Sequence, residues 1–212
     1  MIVLTIDTCI GACSAGLFDG DRALAVWSEP MTRGHQERLA PMVEEVFAGA
    51  GIAPAEIDRV AVTIGPGSFT GLRVGVAFAK GFASALGAPC LGVGTLEALV
   101  ESVPAAEGTR IGVVDGKRGQ IYAQIELGGA PAQLTYEDAA TAWGAIAMPV
   151  FVGPGAELAM SIMRPSVGVV ISAPDPAAIA RLGADKGPAP FKPLYLRAPD
   201  AKLPGGITPD FP

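Results

Sequence analysis

Apolar positions along this chain alternate between a two-residue and a helical period, and the order of those periods repeats. Residues 2–6 are an apolar run that ends at Asp7, followed by small residues over 8–14 and a return run at 15–18. Asp19-Gly20-Asp21 predicts a hairpin into a third strand over 23–27. Leu39, Met42, Val43, Val46 and Phe47 then fall at helical spacing, with Thr32 as a candidate cap and Gly49 and Gly51 as stops. Pro41 within that run removes a backbone donor and predicts a kink. A strand over 59–64, the loop Gly65-Pro66-Gly67-Ser68, a helix over 70–86, a strand over 89–93 and a helix from a Thr95 cap to 102 complete this half.

The second half begins again. Residues 110–114 are an apolar run ending at Asp115, followed by the turn Gly116-Lys117-Arg118-Gly119 and a strand over 120–127. A short strand over 133–136 and a weak helix over 138–147 precede Val150-Phe151-Val152 and Gly153-Pro154-Gly155. A helix to Met163, a strand over 167–171 and a helix over 176–182 follow. Ile64-Gly65-Pro66-Gly67 and Val152-Gly153-Pro154-Gly155 thus hold matching places in two similar series. The expectation is two α/β lobes, each a mixed sheet flanked by helices, over 1–104 and 105–193. Residues 194–212 then form a C-terminal anchor at Leu194-Tyr195-Leu196 and a frayed tail from 203.

Two of the predicted elements carry more than fold information. Between Gly71 and Leu86 the only charges are Arg73 and Lys80, seven residues apart on one narrow stripe. A surface helix shows a broad polar face, so one that is apolar nearly all round is covered on most sides. Gly71, Gly75, Ala79 and Ala83 recur every fourth residue as a flat ridge, and interior glycines cost about 1 kcal/mol each relative to alanine. Packing on the chain's own sheet would offset that cost. So would a second protein, and the sharper expectation is one face on the sheet and another on a partner. The preceding helix, with His35 at its start, would lie alongside.

The second element is the glycine loop. Gly67 and Ser68 open a helix, where backbone donors and the helix dipole favour an anion. No Gly-Lys-Ser/Thr sequence follows, so this is not a Walker A loop. Asp7 and Asp115 close the first strand of each half, where carboxylates in a two-lobed phosphotransferase would hold Mg²⁺. Capping of their own turns is the plainer role. No lysine occurs between Thr8 and Ser14, which counts against phosphoryl transfer by this chain alone.

Composition narrows the partners. The 212 residues are 50% hydrophobic and carry a net charge of −6, with a sequence pI near 4.8. Lys117-Arg118 is the longest basic cluster, so a phosphate-gripping face is not expected and any nucleic-acid contact would be indirect. Residues 1–6 lack a basic flank and meet Asp7 at once, and glycines and Pro89 break the uncharged stretch between Lys80 and Glu97. No leader and no membrane span are expected, and the location is read as cytoplasmic. Cys9, Cys13 and Cys90 are read as reduced, small buried residues. A single histidine leaves a zinc hydrolase without ligands, so no metal and no catalytic residue is assigned.

The run Gly65-Pro66-Gly67-Ser68-Phe69-Thr70-Gly71-Leu72-Arg73-Val74-Gly75 resembles the TsaB (YeaZ) family. So do Ile6-Asp7-Thr8, the His35-Gln36-Glu37-Arg38-Leu39-Ala40-Pro41-Met42 helix start, Tyr195-Leu196-Arg197 and Asp200-Ala201-Lys202. The resemblance implies an actin-like (Hsp70 and sugar-kinase type) fold. It implies a non-catalytic subunit that binds the TsaD paralogue and the ATPase TsaE for threonylcarbamoylation of adenosine 37 in tRNAs reading ANN codons. ATP and Mg²⁺ would act at the level of that complex. It places the TsaD interface, shared by an alternative self-dimer, on the two helices singled out above. The residues carried over are His35, Leu39, Met42, Val43 and Val46 on the first, with Leu72, Arg73, Gly75, Val76, Ala79 and Lys80 on the second. The competing expectation is an actin-like ATPase or small-molecule kinase working through Asp7 and the Gly153–Gly155 loop.

Overall fold

The computed structural model describes residues 1–105, 107–126, 128–187 and 189–196. Arg197, the Asp200-Ala201-Lys202 motif and the tail expected from Leu203 lie outside the described residues. The first sheet contains β1 (Ile2–Asp7), β2 (Ala12–Asp19), β3 (Arg22–Pro30), β4 (Arg59–Thr63) and β5 (Cys90–Val93) in the order β3-β2-β1-β4-β5. The second contains β6 (Thr109–Lys117), β7 (Gln120–Ile125), β8 (Ala132–Thr135), β9 (Pro149–Val152) and β10 (Val167–Val169) in the order β8-β7-β6-β9-β10. In each, the first three strands are an antiparallel meander and the last two add parallel to the first strand. The strand series expected from the sequence is therefore present twice in one topology.

Helices occupy matching places as well. α1 (His35–Ala50) and α2 (Phe69–Leu86) cross over to β4 and β5, as α4 (Tyr136–Trp143) and α5 (Ala156–Ile162) do to β9 and β10. Leu4, Ile6, Val60 and Val62 of the first sheet meet Leu39, Met42, Val46, Leu72 and Val76 in one apolar core. Phe151, Ile111 and Ile121 meet Trp143 and Ala159 in the other.

The last helix of each series, α3 (Thr95–Glu101) and α6 (Pro176–Asp185), is exchanged. Leu96 and Leu99 of α3 pack with Val114, Val150 and Val152 of the second sheet. Ile179 of α6 packs with Val3, Ala61 and Val93 of the first. Two glycines permit the close approach: a Cβ at Gly112 would collide with the Leu96 carbonyl, and one at Gly183 would stand 2.5 Å from the Ala61 Cβ. Arg59 donates to the carbonyls of Gly183, Ala184 and Lys186 at the end of α6. Arg181 and Lys186 reach Glu101 and Glu97 of α3 at 2.9 and 2.6 Å.

Helix starts differ from expectation in a consistent way. Thr32 does not cap α1: Gly34 does, at φ 86°, with no side-chain acceptor. Thr95 is the first residue of α3, with Gly94 before it. In both helices the N-cap position is held by a glycine, which has no side chain to cap with: Gly34 in the left-handed region and Gly94 in extended backbone. α1 continues through Pro41, which lies on its exposed face.

Ile179 is fully buried at the joint between the lobes. Ile179→Ala should cost about 2–5 kcal/mol, as large-to-small core changes do, and lower the thermal midpoint measured by circular dichroism.

Candidate functional site: a helix-pair face and an interlobe cleft

α1 and α2 lie side by side on one face of the first sheet. The inward side of α1 is His35, Leu39, Met42, Val43, Val46 and Phe47, an i, i+4, i+7 series. That of α2 is Gly71, Leu72, Gly75, Val76, Ala79 and Ala83. Phe82 joins the helices, 5.8 Å from Phe47 and 5.7 Å from Phe78 between ring centroids.

The small-residue ridge of α2 faces its own lobe. A Cβ at Gly71 would collide with the Thr8 carbonyl oxygen and one at Gly75 with the Thr8 hydroxyl, which itself donates to the Gly71 carbonyl at 2.7 Å. The two glycines let α2 descend onto the β1–β2 turn, which offsets their cost in helix propensity. The expected partner residues need correction on this point. His35, Leu39, Met42, Val43, Val46, Leu72, Gly75, Val76 and Ala79 are buried inside the lobe, and of that set only Arg73 and Lys80 reach the surface. The outward face of the pair is instead Thr70, Arg73, Ala77, Lys80, Gly81, Ser84 and Ala85 on α2, beside Glu37, Ala40, Pro41, Glu44 and Ala48 on α1.

Both cations of α2 are engaged by the C-terminal segment. Lys80 donates to the Phe191 carbonyl at 3.0 Å and lies 4.4 Å from the Phe191 ring centre. Arg73 donates to the Tyr195 hydroxyl at 3.2 Å and sits 3.8 Å above the Phe69 ring. Leu194 donates its backbone N–H to the Ile64 carbonyl at 2.6 Å. The expected anchor is therefore a strap beside α2, and Phe69, Phe191 and Tyr195 are contacts that helical spacing alone did not single out. The chain motif at Tyr195 was the available signal.

The cleft between the lobes, about 520 Å³, brings together Gly67, Ser68, Asp115 and His35 with Cys9, Gly11, Lys117, Tyr122 and Pro154. Several of its polar groups are committed, although the buried His35 Nε2 has no hydrogen-bond partner among the described residues. Ser68 accepts from the Gly71 N–H at 3.3 Å and donates its own N–H to the Cys9 carbonyl. Asp115 accepts from both the backbone and the ammonium of Lys117, at 2.8 and 2.6 Å, and these contacts hold its carboxyl below the usual range against partial burial. Among the described residues no group of three His, Cys, Asp or Glu could hold a metal ion.

Asp7 is not part of this cleft. It is fully buried, and its Oδ1 accepts from the Thr63 hydroxyl at 2.5 Å and the Cys9 N–H at 3.0 Å. Burial raises its pKa to about 6, against the lowering effect of those hydrogen bonds. Asp7 ties the end of β1 to β4 and to its own turn. Burial likewise pushes the Cys9 thiol up to about 12, and Cys13 and Cys90 to about 11, so none is a ready nucleophile.

Two mixed sheets of one topology, sharing a cleft and exchanging their last helices, define an actin-like two-lobe fold. A family model described as TsaD, tRNA N6-adenosine threonylcarbamoyltransferase, matches residues 26–168. An uncharacterized protein of Mycobacterium tuberculosis is 36% identical over 94% of this chain and 93% of its own length. The tRNA threonylcarbamoyladenosine biosynthesis protein TsaB of Escherichia coli is 35% identical over 58% of this chain; the match spans about half (53%) of that protein. The structure of YeaZ from Pseudomonas aeruginosa superposes with a TM-score of 0.75 at 28% identity, covering 86% of this chain and 90% of that one. The chain belongs to the TsaB (YeaZ) family.

Two outcomes follow from these placements. The folded protein holds the Asp7 proton up to about pH 6, whereas the unfolded chain releases it near 3.8. Stability contributed here is therefore present below pH 4 and lost as pH rises to 6, on the order of 3 kcal/mol. Urea midpoints should show Asp7→Asn gaining on the parent protein between pH 4.5 and 7.5. Gly75→Leu should unfold the protein or lower its thermal midpoint by many degrees, because the new side chain meets Thr8.

Proposed function

We propose that this chain is an accessory, non-catalytic subunit in the formation of N6-threonylcarbamoyladenosine on tRNA, docking through the outward α1–α2 face onto the TsaD transferase. The observation that carries this is the character of that face. α2 presents Ala77, Gly81, Ser84 and Ala85 to solvent, a flat surface of small side chains, and its two cations are turned sideways onto the strap. The small side chains permit helix-on-helix approach, and the exposed Glu37 and Glu44 of α1 would lie at the same surface.

The cleft supports the accessory role. Asp7 is sealed under its turn, Asp115 is neutralised by Lys117, and the single histidine is buried at the start of α1. The family model's TsaD description supports a partner of related fold, for which a helix pair is a natural counterpart. TsaE would join the pair as the ATPase, with ATP and Mg²⁺ handled at the level of the assembly and tRNA gripped elsewhere than on this acidic chain. A second copy of the chain would use the same face when TsaD is absent.

Co-expression with the TsaD homologue of the same organism, followed by sizing, tests the reading. The native chain should co-elute with it, and Ala77→Glu should abolish co-elution while leaving the circular dichroism spectrum unchanged. Normal co-elution of that variant removes the docking face. Steady ATP turnover by the isolated chain, lost in Asp115→Ala, would replace the accessory role with an enzymatic one.

A further inference from the structure

His35, the single histidine of the chain, opens α1 and lines the interlobe cleft. It is 7% exposed, and its Nε2 makes no hydrogen bond among the described residues. Buried polar atoms are nearly always paired, so an orphaned one beside a cavity marks a place where a bound group completes the bond. The accessory role makes no use of it. Its surroundings say what that group would be. The cleft borders the starts of two long helices, the 16-residue α1 at His35 and the 18-residue α2 at Gly67 and Ser68. Gly34 at the N-cap of α1 has no side-chain acceptor, so the first-turn N–H groups there lack a side-chain cap at the positive end of the helix dipole. Glu37 of that turn is exposed and does not line the cleft.

We propose that the interlobe cleft binds a small oxyanion of the phosphate class, without a metal ion, between the start of α1 and the β6–β7 turn. On the first lobe it is held by the His35 Nε2 and the first-turn N–H groups of α1. His35 donates from Nε2 in the tautomer that carries its proton there. On the second lobe it is held by the Lys117 ammonium, which gives one bond to Asp115 and keeps donors to spare. Among the described residues Asp115 is the one carboxylate lining the cleft, and both its oxygens accept from Lys117. With Asp7 sealed away as well, the cleft has no open carboxylate to hold a metal ion or repel an anion directly. Its volume of about 520 Å³ admits such an anion with several waters. The anion would bridge the two lobes, a role that does not depend on the α1–α2 docking face.

The experiment is a titration of the full chain with sodium phosphate at fixed pH and ionic strength, followed by proton–nitrogen correlation NMR, with thermal midpoints as the folding control. Saturable shifts of the His35 and Gln36 amides and of the His35 ring nitrogens are expected, and sodium chloride should not reproduce them. His35→Phe keeps a ring and removes the donor, and should weaken phosphate binding about tenfold or more. His35→Gln restores a side-chain donor and should recover part of that loss. Lys117→Ala, at an exposed position, should weaken binding about threefold, and Asp115→Asn, which removes a competing charge, should tighten it about threefold. Should His35→Phe lower the thermal midpoint, the two second-lobe variants decide. Shifts that never saturate, or that chloride reproduces, overturn the site. So does parent-like affinity in both His35→Phe and Lys117→Ala. A His35→Gln variant as weak as His35→Phe overturns the Nε2 donor. ATP bound more tightly than phosphate through the same amides overturns the free anion in favour of a nucleotide.

Discussion

α3 and α6 each cover the sheet of the lobe to which they do not belong in the repeat, and the rest of the structure depends on that exchange. It closes the second face of both sheets with helices supplied across the joint, so neither lobe can complete its core alone. The contact is apolar at its centre and charged at its rim, where Arg181–Glu101 and Lys186–Glu97 tie the two helices to one another. Exposed pairs of this kind add little stability individually.

The cleft between the lobes is built from the elements an actin-like enzyme would use, yet several of its groups are spent on structure. Ser68 caps α2 and Asp115 is paired with Lys117, while Asp7, outside the cleft, bonds to Thr63 and its own turn. What the first lobe offers the outside is instead the helix pair. The glycines that would suit a helix–helix contact are consumed inward by Thr8, and the opposite side of α2 carries small side chains together with Arg73 and Lys80, both engaged by the C-terminal segment.

Much of this was legible in the chain, and the failures have physical reasons. The strand series and its repetition could be read because each strand is a short apolar run bounded by glycine, proline or aspartate. The exchange of α3 and α6 could not, because Ile179 packs on residues as far back as Val3, beyond any local spacing; Gly112 and Gly183 mark the approach only once the approach is known. The four-residue ridge was visible, but glycine and alanine carry no polarity, so spacing alone could not say which way it faces. Thr8, sixty-three residues before Gly71, decides it. Capping of its own turn is the plainer reading of Asp7 and is what its bond to the Cys9 N–H shows, but its full burial, which removes it from the cleft, is not visible in sequence. Tyr195 lay in a recognised motif, but its role depends on a turn of the chain back to α2.

Exchange of the last helix also has a consequence for how the protein is made. During synthesis the five strands of the first sheet emerge well before residues 176–185, so one side of that sheet must wait uncovered for the end of the chain. Its apolar face, with Val3, Ala61 and Val93, is then open to chaperones or to other nascent chains until α6 arrives. Premature termination anywhere before α6 would therefore leave no stable half-protein, only a sheet with a greasy back and nothing to lay against it.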